Sequence, residues 1–347
     1  MINVVCLYHL TTLYMYVFIL PKSQARKETV MQKTDVTHYR IAVLAGGWSD
    51  EAQISLQSGT ECVKALKTAG FTTVEMFDVK DLSFIQRLAA HEFDIAFVAM
   101  HGRYGEDGCI QGLLEILHIP YTCSGVLASA MGTAKDIAKL AYENAGIPTP
   151  KDICLASDDE VDENVAQRIV DKLGLPLFVK PTDNGSSFGV FKVEEQKDLA
   201  HAITEAQKTG THVLIEQAIV GTEITVPVIG NHHPHALPIV EIVFNAPFYD
   251  IQAKAEPASL HHVIPARLDK DVYARAQELA EQAHVALGCR GVSRTDFIVD
   301  KNGVPYALET NIIPGMTERS LIPDSAAHEG MGFPELCKRL VEYALEK

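Results

Sequence analysis

Positive charge is scarce in this sequence. Its 347 residues include 30 Lys and Arg against 45 Asp and Glu, which gives a formal net charge of −15. A surface this acidic leaves no room for a dominant basic patch, so the composition argues against a nucleic-acid-binding protein. We therefore expect no nucleic-acid partner.

Paired cysteines are also lacking. The seven cysteines include no CxxC or CxxH pair, and an odd number of scattered thiols suits neither a disulfide framework nor a structural zinc site. We expect reduced thiols and a cytoplasmic protein. The 47% hydrophobic and 22% charged residues are typical of a globular chain, and the length predicts two or three domains.

A signal peptide is not indicated at the N-terminus, although residues 1–20 are apolar. This run has no positively charged start and no small-residue cleavage site. With His9 and three tyrosines it is a marginal membrane span. We interpret residues 1–39 as an extension outside the folded core, with a membrane anchor as the alternative, and expect no membrane contact for the core itself.

Regular alternation of elements begins at Arg40. RIAVLAGG predicts a short strand, ISLQSGTECVKALKTAG a helix that stops at Gly70, and TTVEMFDV and FDIAFVAM two more strands. Strands that alternate with helices form parallel βαβ units, so residues 40–132 are predicted to be an open, doubly wound α/β domain. Ligands of such a sheet bind beyond the carboxyl ends of its strands, where this chain has the polar segments GGWSDEAQ and HGRYGEDG.

A second domain is predicted over residues 133–219 and a third over residues 220–347. After the helix KDIAKLAYENAG the pattern is strand, helix, two strands, helix and strand. This order predicts a small α+β domain that resembles a lid.

A glycine loop joins the two middle strands of this second domain. Lys180 lies in the first strand, Gly185 permits a tight turn, and the hydroxyls of Ser186 and Ser187 can surround phosphate oxygens together with backbone N–H groups. The loop is not a P-loop, because the lysine precedes the glycines and no helix follows. These residues alone leave phosphate binding and an ordinary hairpin turn both open.

Near the C-terminus an apolar hairpin carries acids on one face. Glu309 and Asn311 are two residues apart in a strand and share a face, and a predicted two-residue Asn-Gly turn brings Asp296 and Arg294 alongside them. Oxygen ligands without His or Cys suit Mg²⁺ or Mn²⁺ shared with nucleotide phosphates, and the arginine can stabilise developing negative charge. The alternative is a surface hairpin with solvent-facing polar residues.

Six motifs follow one another over about residues 40–347: the GG pair with ISLQSG, HGRYGEDG, LFVKP with GSSFGV, VLIEQ with GTEITV, RTDFIVD and ALETNIIPGMT. In this order they resemble the D-alanine–D-alanine ligases of the ATP-grasp superfamily. The resemblance implies an ATP-grasp fold, α/β and α+β, preceded by an open parallel-sheet N-terminal (pre-ATP-grasp) domain. It also implies a homodimer.

The resemblance further implies a reaction. ATP phosphorylates the carboxylate of one D-alanine to an acylphosphate, and the amine of a second D-alanine displaces phosphate. The products are D-alanyl-D-alanine for peptidoglycan synthesis, ADP and phosphate. Two Mg²⁺ (or Mn²⁺) ions would bridge the ATP phosphates and the metal ligands Asp296, Glu309 and Asn311, while the protein supplies positioning and charge neutralisation.

Site residues follow from the resemblance by motif position. ATP is expected to contact Lys135, Lys180, Ser186, Ser187, Glu216, Gln217, Ala218, Ile219, Glu223, Lys254 and Asn311. Among these, Lys135, Lys180 and Lys254 would bind its phosphates, residues 216–219 its adenine and Glu223 its ribose. The D-alanine substrates are expected to contact Gln53, His101, Arg294, Gly315, Ser320 and Leu321, with His101 on the first substrate and Ser320 on the carboxylate of the second. Catalytic roles are expected for Arg294, Ser186, Gln53 and Gly315. Among these, Arg294 and the backbone of Gly315 would form the oxyanion site.

Three departures from the family pattern affect the first substrate. Gln53 stands where a Glu normally binds the substrate ammonium, Ala255 where a Tyr commonly follows the mobile-loop lysine, and Ile313 where a Ser is usual. Glutamine forms hydrogen bonds without the charge. Two alternatives to D-alanine ligation therefore stay open: an ATP-grasp ligase for a different first substrate, such as another amino acid or a hydroxy acid, and a nucleotide-binding protein without turnover.

Overall fold

The computed structural model describes residues 35–183, 189–210, 212–244 and 260–346. The predicted extension lies outside these residues except for its last few positions, as do Ser186, Ser187, Lys254 and Ala255, so the expectations for them remain predictions. Residues 36–347 form one compact unit. No helix within the described ranges is long and apolar enough to span a membrane.

The first sheet is parallel, with three strands in the order β2, β1, β3. These strands are β1 (Ile41–Ala45), β2 (Val74–Asp78) and β3 (Ile95–Val98), and the helices of this part are α1 (Ala52–Thr68), α2 (Ser83–Ala89), α3 (Cys109–Ile116) and α4 (Val126–Thr133). The central strand β1 is buried along its whole length, as is usual in a parallel sheet covered on both faces. The predicted open α/β topology is confirmed.

The second sheet is antiparallel, with the strand order β4, β7, β5, β6. Its elements, after α5 (Lys135–Asn144), are β4 (Asp152–Ala156), α6 (Glu163–Leu173), β5 (Leu177–Pro181), β6 (Phe191–Val193), α7 (Gln196–Gln207) and β7 (His212–Gln217). This is the predicted order. The helix α6 begins directly after Asp162, because the side chain of Asp162 accepts a hydrogen bond from the backbone N–H of Val165 and caps the helix there.

The third sheet is antiparallel, in the order β11, β10, β8, β12, β13, with β9 on the side of β8. Its strands are β8 (Gly221–Gly230), β9 (His235–Ala236), β10 (Val240–Phe244), β11 (Leu260–Val263), β12 (Gly291–Asp300) and β13 (Pro305–Asn311). The helices are α8 (Lys270–Ala286), α9 (Leu321–His328) and α10 (Phe333–Leu345). Because β12 pairs with β8 on one side and β13 on the other, its side chains are held at fixed positions.

The turn between β12 and β13 is longer than predicted. Residues 301–304 connect the strands, not an Asn-Gly pair alone. Asp300 explains the difference, because its Oδ1 accepts the backbone N–H groups of both Asn302 and Val304 at 2.9 Å. A short acidic side chain that bonds to the backbone ahead of it favours this kind of turn.

A buried histidine joins α8 to the third sheet. The Nδ1 atom of His284 lies 2.8 Å from Ser293 Oγ, and its Nε2 lies 3.2 Å from the carbonyl oxygen of Gly230. Burial is the largest influence on this ring and lowers its pKa to about 4, from an ordinary value of 6.5. The folded protein therefore keeps His284 neutral over most of the weakly acidic range.

We expect the free energy of unfolding to fall as the pH is lowered from 7 to 5. The unfolded chain binds a proton at His284 below about pH 6.5, whereas the folded protein does so only near pH 4. The stability contributed by the neutral ring is thus present above pH 6.5 and lost towards pH 4, by about 2 kcal/mol between pH 7 and pH 5. Urea unfolding at both pH values measures the loss, and His284→Gln, which cannot titrate, should show a pH dependence smaller by this amount. An unchanged pH dependence in the variant would contradict the assignment.

Candidate active site

Two neighbouring strands build the acidic centre of the site. Across β12 and β13, Asp296 pairs with Glu309 and Arg294 pairs with Asn311. The Nδ2 atom of Asn311 lies 3.1 Å from Asp296 Oδ2, so the predicted cluster forms. The register shifts directly after Asp296, a bulge that the sequence did not predict and that redirects side chains next to many active sites.

Arg294 binds the Asp296 carboxylate with two hydrogen bonds. Its Nε lies 3.1 Å from Oδ1 and its Nη2 3.2 Å from Oδ2. Thr225, which stands opposite Asp296 in β8, donates a further hydrogen bond to the same carboxylate. Sequence reasoning missed Thr225, because the pairing of β8 with β12 is not visible in a local pattern.

The helix α5 brings Lys135 into contact with Glu309, the second acid of the hairpin. Lys135 Nζ lies 3.2 Å from Glu309 Oε2. The charge of Lys135 is the largest influence on this carboxyl and outweighs burial, so the pKa of Glu309 falls to about 2. Glu309 is therefore a carboxylate at any physiological pH, which is the form that binds a divalent cation.

A second charged cluster lies between α5 and the second sheet. Glu216 Oε1 lies 2.5 Å from Lys180 Nζ, and its Oε2 lies 3.3 Å from Lys139 Nζ. Burial raises the pKa of Glu216, but the charges of Lys180 and Lys139 outweigh burial and hold that pKa below its ordinary value. Sequence reasoning missed Lys139, although its spacing of four residues from Lys135 puts both lysines on one face of the helix.

His101, predicted to contact the first substrate, lies buried after β3. Its Nε2 lies 3.1 Å from Ser58 Oγ, and its Nδ1 lies 3.2 Å from the carbonyl oxygen of Ile313 and 3.5 Å from Glu106 Oε1. The histidine thus joins the first sheet to the segment that follows β13. Ser58 and Glu106 were not predicted; the available signal for Glu106 was its place in the polar segment HGRYGEDG.

Gly315 and Ser320 lie close together after β13. Ser320 is the N-cap of α9, and its Oγ accepts the backbone N–H of Thr317 at 3.1 Å. A Cβ atom on Gly315 would lie 3.1 Å from Ser320 Oγ, so a glycine keeps the space in front of this hydroxyl open. Leu321 begins α9 directly afterwards.

The residues predicted to contact adenine and ribose lie along β7 and β8. Gln217 ends β7, and Ala218 and Ile219 follow it, all partly exposed. The backbone N–H groups of Gln217 and Ala218 donate to carbonyl oxygens of other segments, which fixes the path of this connection. Glu223 lies partly exposed in β8. The roles of these residues stay predictions.

Comparison with known proteins decides the family. The family model described as D-ala D-ala ligase C-terminus matches residues 141–342, and the one described as D-ala D-ala ligase N-terminus matches residues 78–124. The D-alanine–D-alanine ligase of Desulforamulus reducens is 44% identical over 311 residues, which cover 89% of this chain and 99% of that protein. The chain belongs to the D-alanine–D-alanine ligase family.

Further relatives and solved structures agree with this family. The D-alanine–D-alanine ligase of an Anaeromyxobacter species is 42% identical over 315 residues, 90% of this chain and 98% of that protein. The crystal structure of the Bacillus anthracis ligase has a TM-score of 0.77 at 34% identity and covers 88% of this chain and 97% of that chain. The structure of the same ligase complexed with ATP gives 0.76 at 32% identity, with the same coverage. The predicted ATP-grasp fold class is confirmed.

The oxygen donors in this member of the ligase family suit Mg²⁺ or Mn²⁺. Asp296 and Glu309 supply carboxylates and Asn311 an amide, and magnesium usually completes its coordination with water and substrate phosphates. Within the described ranges no three His, Cys, Asp or Glu residues are grouped as metal ligands. Two carboxylates and an amide fit such a cation, and the ammonium groups of Lys135 and Lys180 contact the acids Glu309 and Glu216.

The family's usual glutamate position is occupied here by an exposed side chain. Gln53 lies in the first turn of α1 and is exposed. Glu51, two residues earlier, approaches the segment after β3, because a Cβ atom on Gly102 would lie 2.9 Å from Glu51 Oε2. The expected contact of Gln53 with the first substrate stays a prediction.

Proposed function

We propose that this chain is an ATP-dependent ligase that joins two D-alanines through an acylphosphate into D-alanyl-D-alanine, with release of ADP and phosphate. One observation carries the proposal: Asp296 and Glu309 pair across a hairpin while Lys135 holds Glu309 as a carboxylate. This arrangement suits an anionic nucleotide with a divalent cation. The relatives named D-alanine–D-alanine ligase and the neighbour complexed with ATP support it.

Some residues of the site bind the nucleotide, and others bind the amino-acid substrates. Lys135 and Lys180 hold the phosphates, and Asp296, Glu309 and Asn311 would hold two Mg²⁺ ions. These ions neutralise phosphate charge when bound. Arg294 and the backbone N–H of Gly315 stabilise the oxyanion that forms when the second amine attacks. Ser320 holds the carboxylate of the second substrate, and His101 contacts the first.

We extend the proposal to the organisation of the enzyme. Residues 40–132, 133–219 and 220–347 are its three domains, each containing one of the sheets described above, and residues 1–39 are an extension. The D. reducens relative, covered over 99% of its length, matches only 311 of the 347 residues here. The six cysteines in the described part of the chain have free thiols, which suits a cytoplasmic enzyme of peptidoglycan synthesis. The family resemblance supports a homodimer.

Phosphate release tests this function directly. The full-length protein is incubated with ATP, Mg²⁺ and the members of a panel of D- and L-amino acids and D-lactate, each alone and each together with D-alanine. We expect release to depend on D-alanine and the dipeptide to accumulate in equal amount. Release with another acid in place of the first D-alanine supports the alternative suggested by Gln53, a ligase with a different first substrate. If no member of the panel causes phosphate release, both ligase hypotheses are contradicted, and the alternative of a nucleotide-binding protein without turnover is supported.

We expect Gln53→Glu to lower the KM for D-alanine. A carboxylate restores a charged partner for the substrate ammonium. Hydrogen bonds to charged groups contribute about 1.5–3 kcal/mol against about 0.5–1.5 for neutral pairs, and a gain of about 1.4 kcal/mol corresponds to about tenfold in affinity. Steady-state kinetics with D-alanine and with D-lactate on both proteins provide the measurement. A loss of similar size with D-alanine would indicate a first substrate that lacks an ammonium group.

A further inference from the structure

Lys139 is a buried cation in α5. Its side chain is 2% exposed, and its ammonium contacts four oxygens: Thr149 Oγ1 at 2.9 Å, the Pro150 carbonyl at 2.7 Å, Asp152 Oδ1 at 3.2 Å and Glu216 Oε2 at 3.3 Å. A buried ammonium needs such partners, because its removal from water is costly. Enclosed in this way, Lys139 does not reach a ligand, so any functional effect passes through these neighbours.

Glu216 connects this buried lysine with the site. One of its oxygens faces Lys139, and the other lies 2.5 Å from the ammonium of Lys180. The side chain of Lys180 is 11% exposed, so it keeps an open side, and it is the lysine expected to bind the ATP phosphates. Lys139, Glu216 and Lys180 are thus connected in sequence from the interior to the proposed phosphate site.

One carboxylate shared by two ammonium groups cannot neutralise both of them. Lys180 has three N–H donors and directs one of them to Glu216, whose charge is divided with Lys139. If Lys139 were neutral, Glu216 would pair with Lys180 alone and cancel its positive charge. We propose that Lys139 is a positioning residue for ATP: it attracts one oxygen of Glu216 to itself, so that Glu216 offsets less of the positive charge of Lys180 and the Lys180 ammonium stays aligned for the phosphates. This inference rests on the proposed ATP-dependent function and assigns it a further residue.

Lys139 also contacts Asp152, and this offers a competing explanation, in which the lysine merely balances buried acids. Asp152 lies in β4, its side chain is 21% exposed, and Lys180 pairs with Glu216 instead. The combined change Lys139→Met and Asp152→Asn removes one positive and one negative charge, so the net charge of the cluster is preserved. Charge balance alone predicts normal nucleotide binding in this double variant, whereas positioning predicts a defect.

The experiment compares four full-length proteins: the unaltered chain, Lys139→Met, Asp152→Asn and the double variant. Kinetics give kcat and the KM values for ATP and D-alanine, and calorimetric titration with a non-hydrolysable ATP analogue and Mg²⁺ gives nucleotide affinity without turnover. We expect the double variant to bind the analogue about tenfold more weakly, the effect of one impaired hydrogen bond to a charged group. The KM for ATP should rise equally, with the KM for D-alanine little changed. Asp152→Asn should match the unaltered chain.

Unaltered ATP affinity in a folded double variant would overturn the proposal. Equal rises in the KM values for ATP and D-alanine would overturn it too, because they would indicate a general distortion. If the unaltered chain shows no ligase turnover, the proposed function fails, but the titration still decides the role of Lys139. Lys139→Met alone should show at least the defect of the double variant, and circular dichroism establishes which variants are folded.

Discussion

Glu309→Gln is expected to reduce the kcat for dipeptide formation by about a thousandfold. The carboxylate is held ionised by Lys135, with a pKa of about 2, so its charge is removed only by substitution. A metal ion contributes several kcal/mol of charge stabilisation in a phosphoryl-transfer transition state, and about 4 kcal/mol corresponds to about 10³ in rate. Phosphate release at saturating ATP and D-alanine measures the effect.

A surface glutamate provides the matched control for this substitution. Glu278 in α8 pairs with Arg275 at 2.6 Å, and both side chains are exposed. Glu278→Gln makes the same chemical change on the exposed surface of α8 and should leave kcat unaltered, since exposed ion pairs contribute little. Nucleotide affinity in Glu309→Gln should fall less than kcat, because Lys180 and the predicted adenine contacts persist. Near-normal turnover in Glu309→Gln would contradict the assignment of Glu309 as a metal ligand.

Gly221→Ala is expected to lower the free energy of unfolding by about 3 kcal/mol, at the upper end of the usual cost of overpacking. A Cβ atom on Gly221 would lie 1.9 Å from the carbonyl oxygen of Val299. Val299 lies in β12, which is paired with the strand of Gly221, β8. Its carbonyl cannot move away without breaking the hydrogen bonds between these strands, and β12 also carries Asp296. Urea unfolding measures the change.

Another glycine shows what the same substitution does without a close neighbour. Gly112 lies inside α3, and a Cβ atom there meets nothing within 4 Å. Gly112→Ala should stabilise the protein by about 0.5–1 kcal/mol, since alanine loses less conformational freedom in a helix. Equal stability of the two variants would be incompatible with the close approach at Gly221.

The hairpin was predictable because its information is local. Residues two apart in a strand share a face, so Glu309 and Asn311 followed from spacing alone, and the turn signal brought Asp296 beside them. The alternation of strands and helices predicted the first two sheets in the same way. The turn length was wrong because Asp300 forms its own hydrogen bonds to the backbone, a competition between local interactions that the Asn-Gly pair did not reveal.

The partners of the site residues were not predictable, because they depend on pairings between distant segments. Thr225 meets Asp296 only through the register of β8 against β12. Family resemblance assigned Glu216 to the adenine site but did not show that it is buried between Lys139 and Lys180. That placement requires α5 to pack beside β7 in three dimensions, which hydrophobic spacing within either segment does not specify.

The helix α5 also fixes the distance between two lysines of the site. Lys135 and Lys139 are four residues apart, and they hold acids that belong to different sheets, Glu309 and Glu216. At 1.5 Å per residue the two positions are about 6 Å apart along the axis, and one added residue would rotate the second by about 100°. Natural variation should therefore change the identity of exposed residues such as Ile137 freely, while insertions and deletions between the two lysines should be selected against. We therefore expect the length of this segment to be preserved more strictly than the identity of its exposed residues.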